Sequence, residues 1–518
     1  MNNSFYDEFT ILENRFMKEN SFVSKKPEQT ALPTYEAERE KLPRPVWDGH
    51  ADALRCYDRA WELAFSNLCR PKPGTGFVSN FIDTAFNGCI FMWDSAFILM
   101  FGKYGARSFD FQATLDNFYS HQYRDGYICR EIEEETGRDH FTRFDPAATG
   151  PDVLSWCEWE YYKNFGDKTR LARVFPCLMA YHDWMRANHT WRDGTYWSSG
   201  WGCGMDNLPR MQEGYHFAFS HGHMVWNDAC MQELMNCKIL ADMAKELGRE
   251  ADAAGLLEER ERLIRVVNDT LWDDRTAFYY DLWKNGQLNY VKHIGAFWAL
   301  LAEIVPAERA QRFIAHLTNA NEFATLCPVP ALSADHPQFR AIGDYWNGGV
   351  WAPTNYMVLT GLDRYGQFGL SHKIARKYHD YVVSVFNDTG TVFENYAPLP
   401  DETTGKPRKG DPARADFVGW TGLAPITVLF EFVFGIKPDA AGGTIDWHIN
   451  LTERHGVERY PFGKDATLTL LCAARSSEQD EPQVTVTSDR PVTVTVYWDN
   501  DTKSKTVAVN KTTESYFG

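Results

Sequence analysis

The stretch WNDACMQELMNCKILADMAKELGREADAAGLLEERERLIRVVND, residues 226–269, contains two helical segments joined at Gly248. Apolar residues recur in it at intervals of three and four, which is the period of an amphipathic helix. Gly248 follows the first segment at the position where a glycine commonly ends a helix. The stretch therefore predicts a helical hairpin, with helices near 226–247 and 249–269 and a connection of a few residues.

The same helical period continues on both sides of this hairpin. It predicts ten further helices, near 50–68, 93–104, 106–119, 152–165, 169–188, 292–304, 306–318, 350–365, 368–387 and 421–434. Short connections join the second helix to the third and each later pair, whereas the intervening connections are long. Antiparallel pairs joined in this way place every long loop at one end. The pattern predicts six helical hairpins in an (α/α)6 toroid. An α-solenoid, the alternative, would show a fixed repeat with short loops.

The pattern changes after Pro438, where apolar and polar residues alternate with period two. This alternation predicts strands in the last part of the chain, at 466–472, 483–487 and 491–498. Such an appended unit either binds carbohydrate or packs on the barrel and stabilises it, and the second role is favoured. We expect three regions: a surface segment at 1–45, the helical barrel at 46–437 and a small β-sandwich-like domain at 438–518.

The composition favours a folded protein that binds a small, uncharged or cationic substrate. Of 518 residues, 44% are hydrophobic and 24% are charged, and the formal net charge is −17. Nucleic acids and anionic membranes require a basic face, so both are excluded as partners. Aromatic residues make up 15% of the chain, including 18 Trp. Most of these rings serve the core, but flat rings also stack on the apolar faces of sugars.

Several other classes of site lack support in the sequence. The 11 cysteines show no CxxC spacing, which indicates reduced thiols and no zinc site. The first residues carry no signal-peptide pattern, and no apolar run reaches transmembrane length, so we predict a cytoplasmic protein. His221 and His223 form the nearest approach to a metal-binding motif. We therefore predict no metal and no cofactor, and the oligomeric state stays open.

The long loop at 189–225 contains the first candidate catalytic residue, Asp206, in GWGCGMDNLPR (200–210). Its glycines allow tight turns and close approach to a ligand. Trp201 and Met205 offer an apolar wall that would keep the acid protonated, as a general acid requires. Arg210 either binds substrate or holds the loop by pairing elsewhere. The alternative for Asp206 is an Asx turn that shapes the loop.

The second candidate is Glu394, in VFENYAP (392–398). A carboxylate between aromatic rings and beside an amide suits a base that orients a water molecule. The alternative is an exposed loop glutamate, which the apolar neighbours Val392 and Phe393 disfavour. Hydrolysis of a glycosidic bond needs one carboxylic acid and one carboxylate, and the loop pattern predicts that this pair lies at the same end of the barrel.

Further segments have the composition of sugar subsites. Trp93 and Asp94 open a helix directly after a long loop, although a carboxylate there also stabilises a helix N-terminus. The stretch DYWNGGVWAP (344–353) combines rings, an amide and a glycine pair. Arg130 and Glu131 are either subsite residues or a plain surface ion pair. The predicted substrate-binding set is Trp93, Asp94, Arg130, Glu131, Trp201, Asn207, Arg210, Tyr345, Trp346, Asn347, Trp351, Tyr396 and Trp420.

Six segments occur together in this order: FMWDSAF (91–97), GMDNLPR (204–210), the helix of 226–248, YWNGGVWAPTNYMVL (345–359), FENYAP (393–398) and FVGWTGLAPI (417–426). As a set they resemble the trehalase-like glycoside hydrolases with (α/α)6 barrels, and most closely the family 63 and mannosylglycerate hydrolase-like branch. The resemblance implies inversion of configuration, with Asp206 as acid and Glu394 as base. It also implies a −1 subsite formed by Trp93, Asp94, Trp346, Asn347, Trp351 and Trp420.

Two departures from the family pattern bear on the substrate. The Gly-rich stretch with Arg and Glu that precedes the WD pair in trehalases reads FNGCIF (86–91) here, and Asn347 stands where the mannosylglycerate branch has arginine. These departures disfavour trehalose and a charged aglycone. We therefore expect a short α-linked glucoside, with an α-mannoside as the alternative. The alternative functions are a sugar phosphorylase or epimerase on the same barrel, or a carbohydrate-binding protein without catalysis.

Overall fold

The computed structural model describes residues 12–28, 30–84 and 86–510, together with the backbone of Ser515–Phe517. Eleven α-helices and one π-helix form the main helical elements of the described chain before residue 436, in addition to a short α-helix near the start. They are α1 (Ala51–Ser66), α2 (Met92–Gly102), α3 (Thr114–Ser120), α4 (Leu154–Phe165), α5 (Lys168–Asn188), α6 (Asn227–Glu246), α7 (Glu250–Thr270), α8 (Trp298–Leu301), α9 (Ala307–Ile314), α10 (Ala352–Arg364), α11 (Phe368–Thr389) and the π-helix Ala424–Val433.

Shorter helical turns extend several of these helices or lie outside them. The 3-10 turns are Arg15–Glu19, Phe22–Ser24, Arg39–Lys41, Lys103–Gly105, Phe111–Ala113, Ile294–Phe297, Ala315–Thr318, Tyr345–Asn347 and Thr421–Leu423, and a four-residue α-helix spans Tyr35–Glu38. The helix predicted at 292–304 is therefore a 3-10 turn followed by a single turn of α-helix, and the one predicted at 421–434 is mainly a π-helix. These differences concern helix type, because each segment lies where the sequence predicts it.

The connection between α4 and α5 shows how local sequence produces a tight helical hairpin. Gly166 ends α4 in the left-handed conformation, at φ 65°, where a side chain would be strained. Asp167 then begins α5, and its carboxylate accepts hydrogen bonds from the backbone N–H groups of Thr169 and Arg170 at 3.0 and 3.2 Å. These two residues therefore satisfy the helix end and the helix start within one turn.

Six elements pack against one another in a closed ring. α2 contacts α4, α4 contacts α6, α6 contacts α8, and α8 contacts α10; α10 contacts the π-helix, which in turn contacts α2. Every residue of α2 and of the π-helix is buried. A helix with no exposed face must be surrounded by other elements. The partner of α6 in its hairpin, α7, has only a few buried residues, so it lies on the outside.

The strands are mostly short before residue 436 and longer after it. They are β1 (Arg44–Trp47), β2 (Leu68–Cys69), β3 (Phe81–Ile82), β4 (Cys89–Phe91), β5 (Glu131–Glu133), β6 (Met224–Val225), β7 (Trp272–Asp273), β8 (Phe278–Tyr279), β9 (Asp281–Trp283), β10 (Leu288–Asn289), β11 (Ile436–Asp439), β12 (Thr444–His448), β13 (His455–Pro461), β14 (Thr467–Cys472), β15 (Val484–Ser488), β16 (Val492–Trp498), β17 (Lys503–Val509) and β18 (Ser515–Phe517). The three predicted strands correspond to β14, β15 and β16.

Two sheets contain the strands of the C-terminal region. One has the order β1-β13-β14-β15-β18, and the other has the order β11-β12-β16-β17. Side chains of β14 and β16 alternate between buried and half-buried positions, which is the pattern of a sheet with one covered face. β1 comes from the start of the chain, where Arg44 pairs with Glu458 and Trp47 with His455. The first sheet therefore joins both ends of the described chain.

Two further observations concern the environment of the protein. All eleven cysteines are free thiols, and all except the half-buried Cys69 are buried. None of the helices in the described part of the chain is long and apolar enough to cross a membrane.

Candidate active site

The loop that carries Asp206 is folded by backbone contacts that require glycine. A Cβ on Gly200 would lie 1.8 Å from the carbonyl oxygen of Phe217, so only glycine fits there. Gly204 has φ 73°, and its N–H donates to the carbonyl of Trp201 at 3.2 Å. The three glycines of this segment therefore allow the close packing that positions Asp206, as the sequence predicted for a turn near a ligand.

Asp206 has the electrostatic environment of a carboxylic acid rather than of a carboxylate. Its pKa is raised to about 6, mainly by burial and also by the charges of Glu131 and Glu394, whereas the Arg130 charge acts in the opposite direction. A buried carboxyl group near other negative charges keeps its proton to higher pH. The same charges act on Asp94, whose pKa is raised by burial and then by Glu131 and Glu394. These four acidic side chains therefore belong to one cluster.

Glu394 is held as a hydrogen-bond acceptor. Its Oε1 accepts from the Tyr345 hydroxyl at 3.2 Å, and its Oε2 accepts from the backbone N–H of Arg414 at 3.3 Å. The Trp420 indole donates to the Glu394 backbone carbonyl at 2.8 Å. Burial raises the Glu394 pKa, whereas the nearby Arg414 lowers it. With only 4% of its surface exposed, Glu394 is not an exposed loop residue, which excludes the alternative considered for it.

Asn207 joins the loop of Asp206 to the loop of residues 344–347. Its Nδ2 donates to the Asp344 carbonyl at 3.0 Å, and its Oδ1 accepts from the Trp346 backbone N–H at 2.7 Å. Asp344 and Tyr345 both have positive φ, at 43° and 60°. The Asn207 amide is bonded to the main chain and positions the two loops, and its role in substrate binding stays a prediction.

Trp93 and Asp94 begin α2 with polar atoms that lack partners. Within the described residues, neither the Trp93 Nε1 nor the Asp94 Oδ1 has a hydrogen-bond partner, although both are buried. Buried polar atoms are normally paired. An unpaired donor and an unpaired acceptor beside the acidic cluster are suited to sugar hydroxyls. The Trp93 ring also faces the Asp206 loop, since a Cβ on Gly204 would lie 3.6 Å from it.

Arg130 and Glu131 form a buried ion pair, so the alternative of a plain surface pair is wrong. Their side chains are 16% and 5% exposed, and Arg130 lies 2.8 Å from Glu131 Oε1. Arg130 Nε also donates to the Ala147 carbonyl at 2.7 Å, and its guanidinium lies 4.6 Å from the centre of the Phe141 ring. The pair is therefore rigid and close enough to act on Asp206.

Among the predicted aromatic subsite residues, some rings are buried and support the others, and some are partly exposed. Trp346 and Trp351 stack with ring centres 4.1 Å apart, and Trp351 is fully buried. Trp351 also packs edge-on against Tyr345 and Trp420, at 4.9 and 5.7 Å. Trp351 therefore supports the rings of Tyr345, Trp346 and Trp420 from the buried side of the site. Half-buried Trp201 packs edge-on against Phe141 and Phe219, and part of its ring remains exposed.

Tyr396 and Arg210 do not have the substrate-binding role that was predicted for them. Tyr396 is buried, and its hydroxyl accepts a hydrogen bond from the Phe393 backbone N–H at 3.2 Å. Arg210 is buried between Asp228 and Asp281, with four hydrogen bonds of 2.6–3.0 Å to them. Both side chains are fully engaged by the protein, so they hold their loops in place. For Arg210 this is the second of the two roles considered from the sequence.

Asn347 lies in the same loop as Tyr345 and keeps one polar atom free. Its Nδ2 donates to Asp344 Oδ2 at 2.9 Å, whereas its buried Oδ1 has no partner within the described residues.

His221 and His223 pack against each other with ring centres 4.6 Å apart. In the part of the chain that the structure describes, they join no group of three metal-binding side chains.

Arg414 has a role in the site that no sequence signal indicated. It lies in a return strand-like segment, where the Glu394 N–H donates to the Arg414 carbonyl at 2.9 Å. Its guanidinium lies 3.9 Å from Glu394 Oε1 and 4.1 Å from the centre of the Phe86 ring. The surrounding sequence is polar and resembles an ordinary loop, so only the pairing with residues 393–396 reveals the contact.

Solved structures with a similar fold include glycoside hydrolases. The family 63 mannosylglycerate hydrolase from Thermus thermophilus, in complex with glucose, superposes with a TM-score of 0.56 and 21% identity, covering 71% of this chain and 99% of that chain. Neutral trehalase from Saccharomyces cerevisiae superposes with a TM-score of 0.51 and 14% identity, covering 68% and 74%. At these identities the likeness shows that the fold is shared.

The sequence itself identifies the family. The mannosylglycerate hydrolase MGH1-like glycoside hydrolase domain matches residues 90–421, so the chain belongs to this family and is a glycosidase. A relative in Borreliella burgdorferi, of uncharacterized function, is 26% identical over 388 residues, which is 73% of this chain and 78% of that protein. The resemblance drawn from the sequence motifs is therefore confirmed at the level of the family.

Proposed function

We propose that this glycosidase inverts configuration, with Asp206 as the general acid and Glu394 as the general base. The observation that carries the proposal is the difference between two buried carboxyl groups that act on one another. The pKa of Asp206 is raised to about 6, mainly by burial and also by the charges of Glu131 and Glu394. Glu394 accepts two hydrogen bonds and lies beside the Arg414 guanidinium. Burial raises the pKa of both groups, but the two donors at Glu394 favour its ionised form, and this difference supports an acid and a base.

Glu394 is suited to activate water because two donors and a nearby guanidinium offset part of the effect of burial, which raises its pKa overall. The Tyr345 hydroxyl and the Arg414 N–H both donate to it, and donors stabilise a carboxylate. Asp206 is suited to protonate the leaving oxygen because it retains its proton close to neutral pH. Inversion follows from the family resemblance of the GMD and ENY segments. Asp94, Trp93 and Asn347 offer unpaired polar atoms for the hydroxyls of the sugar in the −1 subsite.

A short α-linked glucoside is the proposed substrate. Arg130, the cation that acts on Asp206, is already paired with Glu131, and Arg414 lies beside the base. An anionic leaving group would approach the acid, where Arg130 already has a carboxylate partner. The related enzymes act on mannosylglycerate in one case and are trehalases in another, so an α-mannoside is the alternative. The reaction requires no metal or cofactor, because both protons move between carboxyl groups, water and sugar.

The closed ring of six inner elements supports an (α/α)6 toroid with an outer helix for each inner one. The two C-terminal sheets support a small β-sandwich-like domain over residues 438–518, with residues 1–45 as a surface segment and 46–437 as the barrel. Eleven free thiols support a reducing compartment, and we propose the cytoplasm. No nucleic acid or membrane partner is expected at the net charge of −17.

A screen of α-linked disaccharides and glycosylglycerates, with NMR detection of the anomer released first, tests the proposal. We expect one substrate to give the inverted anomer. Asp206→Asn and Glu394→Gln should each lower kcat by about 10²–10⁴-fold, the usual contribution of a general acid or base. Asp274→Asn is a matched control, because Asp274 is an exposed carboxylate with a surface ion pair. Release of the retained anomer, or full activity in either variant, contradicts the proposal.

The alternative functions give different results in the same screen. A sugar phosphorylase requires inorganic phosphate for turnover, and its product is a sugar phosphate. An epimerase changes a free sugar without releasing an aglycone. A binding protein without catalysis retains ligand after both carboxyl groups are replaced and shows no hydrolysis in the parent. Any of these outcomes replaces the proposed function.

A further inference from the structure

Three metal-binding side chains meet at the antiparallel pair of strands β4 and β5, beside the candidate active site. The Cys89 sulfur, a carboxylate oxygen of Glu131 and a ring nitrogen of His140 all lie within 4.8 Å of one another. The sulfur is 3.9 Å from His140 Nδ1. With metal–ligand bonds of about 2.0–2.3 Å, the donors of a tetrahedral zinc site are about 3.3–3.8 Å apart. Small side-chain rotations therefore bring these three donors to coordinating distance.

The backbone holds the three donors together. β4 pairs with β5 so that Cys89 lies opposite Glu133 and Phe91 lies opposite Glu131. Alternate residues of paired strands share a face. The side chains of Cys89, Glu131 and Glu133 therefore lie on one face of the β4–β5 pair. The His140 N–H donates to the Glu131 carbonyl at 3.0 Å. The cluster therefore rests on paired backbone and not on a chance approach of loops.

The surroundings of the cluster favour a cation. The negative charges of Glu131, Glu133 and Glu134 act on the Cys89 sulfur. Glu133 also offers a fourth donor, since its Oε1 lies 3.8 Å from His140 Nδ1. Glu131 uses Oε1 for Arg130 and has a second oxygen to offer. One thiol, one imidazole and carboxylates are the ligand set preferred by Zn²⁺.

The cluster is open to solvent on one side. The side chains of His140 and Glu133 are 45% and 38% exposed, whereas Cys89 and Glu131 are buried. A second group, His182, Cys237 and Glu259, is buried on all sides. The two ring nitrogens of His182 lie 2.8 and 3.2 Å from buried carboxylates, so its donors are already satisfied. Of these two groups, found among the residues that the structure describes, the cluster of Cys89, Glu131 and His140 is the one that combines access from solvent with available donors.

We propose that the cluster of Cys89, Glu131 and His140 binds one Zn²⁺ ion, and that bound zinc inhibits the enzyme; the inhibition rests on the proposed function. On binding, the Cys89 thiol releases its proton to solvent and the sulfur coordinates the metal as a thiolate. The Glu131 carboxylate, which pairs with Arg130 at 2.8 Å, is then drawn towards the divalent cation. Binding of Zn²⁺ with loss of the thiol proton changes the charge of the cluster by +1 and competes with Arg130 for Glu131, so the surroundings of the proposed proton donor Asp206 are altered.

Zinc binding is measured on the full-length protein with Zn²⁺ alone, in competition with a chromophoric chelator. We expect one equivalent to bind. Cys89→Ser and His140→Gln should each weaken binding by at least about tenfold, since even partners outside the first coordination sphere contribute that much. Cys69→Ser and His223→Gln are matched controls and should bind as the parent does. Unchanged affinity in the first two variants, or loss in His223→Gln, overturns the proposal.

Co²⁺ substitution gives a readout that does not depend on affinity. The parent should show a thiolate-to-cobalt charge-transfer band in the near ultraviolet, and Cys89→Ser should lack it while melting at the temperature of the parent. A band that persists in Cys89→Ser overturns the assignment of the sulfur ligand. His140→Gln gives a second, independent test if the serine variant melts early.

The inhibitory effect is tested separately from the site. Zn²⁺ should lower kcat of the parent and leave His140→Gln at its activity without metal. Asp206→Asn should still bind one equivalent, so failure of the acid assignment leaves the binding result standing. Binding of one equivalent with unchanged kcat overturns the inhibition and leaves the proposed hydrolysis intact. Inhibition that persists in His140→Gln overturns the connection between site and activity.

Discussion

Replacing Asn207 by alanine removes the contacts that join the Asp206 loop to the loop of Asp344–Trp346. Two hydrogen bonds are lost, at 3.0 Å to the Asp344 carbonyl and at 2.7 Å from the Trp346 N–H. Each contributes about 0.5–1.5 kcal/mol net, so the pair stabilises the joined arrangement by about 2 kcal/mol. Since about 1.4 kcal/mol corresponds to a factor of ten, the population of correctly joined loops falls by up to about 30-fold.

Steady-state kinetics on the substrate found in the screen measure this effect. We expect kcat to fall by up to about 30-fold with little change in KM, because the Asn207 amide is bonded to main chain and offers nothing to the sugar. Asn207→Asp keeps the acceptor for Trp346 and loses the donor, so its kcat should be intermediate. Asn319→Ala is the control, since that exposed amide also bonds only main chain. A raised KM with unchanged kcat would refute the reasoning and make Asn207 a substrate ligand.

Three further results are expected. Initial rates should show kcat/KM falling above about pH 6, where Asp206 loses the proton that its buried pKa of about 6 retains, and falling at low pH as Glu394 is protonated; a flat profile to pH 8 contradicts this. Arg210→Met leaves two buried carboxylates unpaired and should lower the free energy of unfolding in urea by about 3–5 kcal/mol, and a loss below about 1 kcal/mol contradicts the ion-pair role. Burial opposes ionisation of Glu259, but hydrogen bonding from His182 lowers its pKa from 4.5 to about 2. Its stabilising contribution is therefore present above pH 4.5 and is lost as pH falls towards 2. Urea titrations should show that the free energy of unfolding falls less at acid pH in Glu259→Gln than in the parent.

The helices were predictable because their apolar period is a property of the local sequence. The hairpin at 226–269 is found as α6 and α7, with Gly248 between them at φ 67°. The change from a 3-10 turn to a single turn of α-helix within 292–304 was not predictable. A Cβ on Gly295 would lie 2.9 Å from the His293 ring and 3.1 Å from Asp228, so tertiary packing shapes that segment, and no local pattern reports it.

The candidate site was predictable only where the residue type itself implies the chemistry. Asp206 and Glu394 stood out as loop carboxyls among glycines and rings. Asn207 and Arg210 lie in the same short segment as Asp206, yet their side chains have structural partners that come from distant parts of the chain. The three zinc donors are likewise separated by 42 and 9 residues (131 − 89 and 140 − 131). Their contact depends on the pairing of β4 with β5, which the sequence does not reveal.

The closed ring of inner helices has a consequence for biosynthesis. Because α2 is completed only when the π-helix packs against it, a chain emerging from the ribosome cannot finish packing its first inner helix until residue 433 has been made. β1 waits longer still, since its partner strand begins at His455. During that interval the apolar surface of α2, all of which is buried in the finished protein, is exposed to the cell. Apolar surface exposed in this way is prone to aggregate, so a chaperone that binds apolar helices would protect the early segments of this chain.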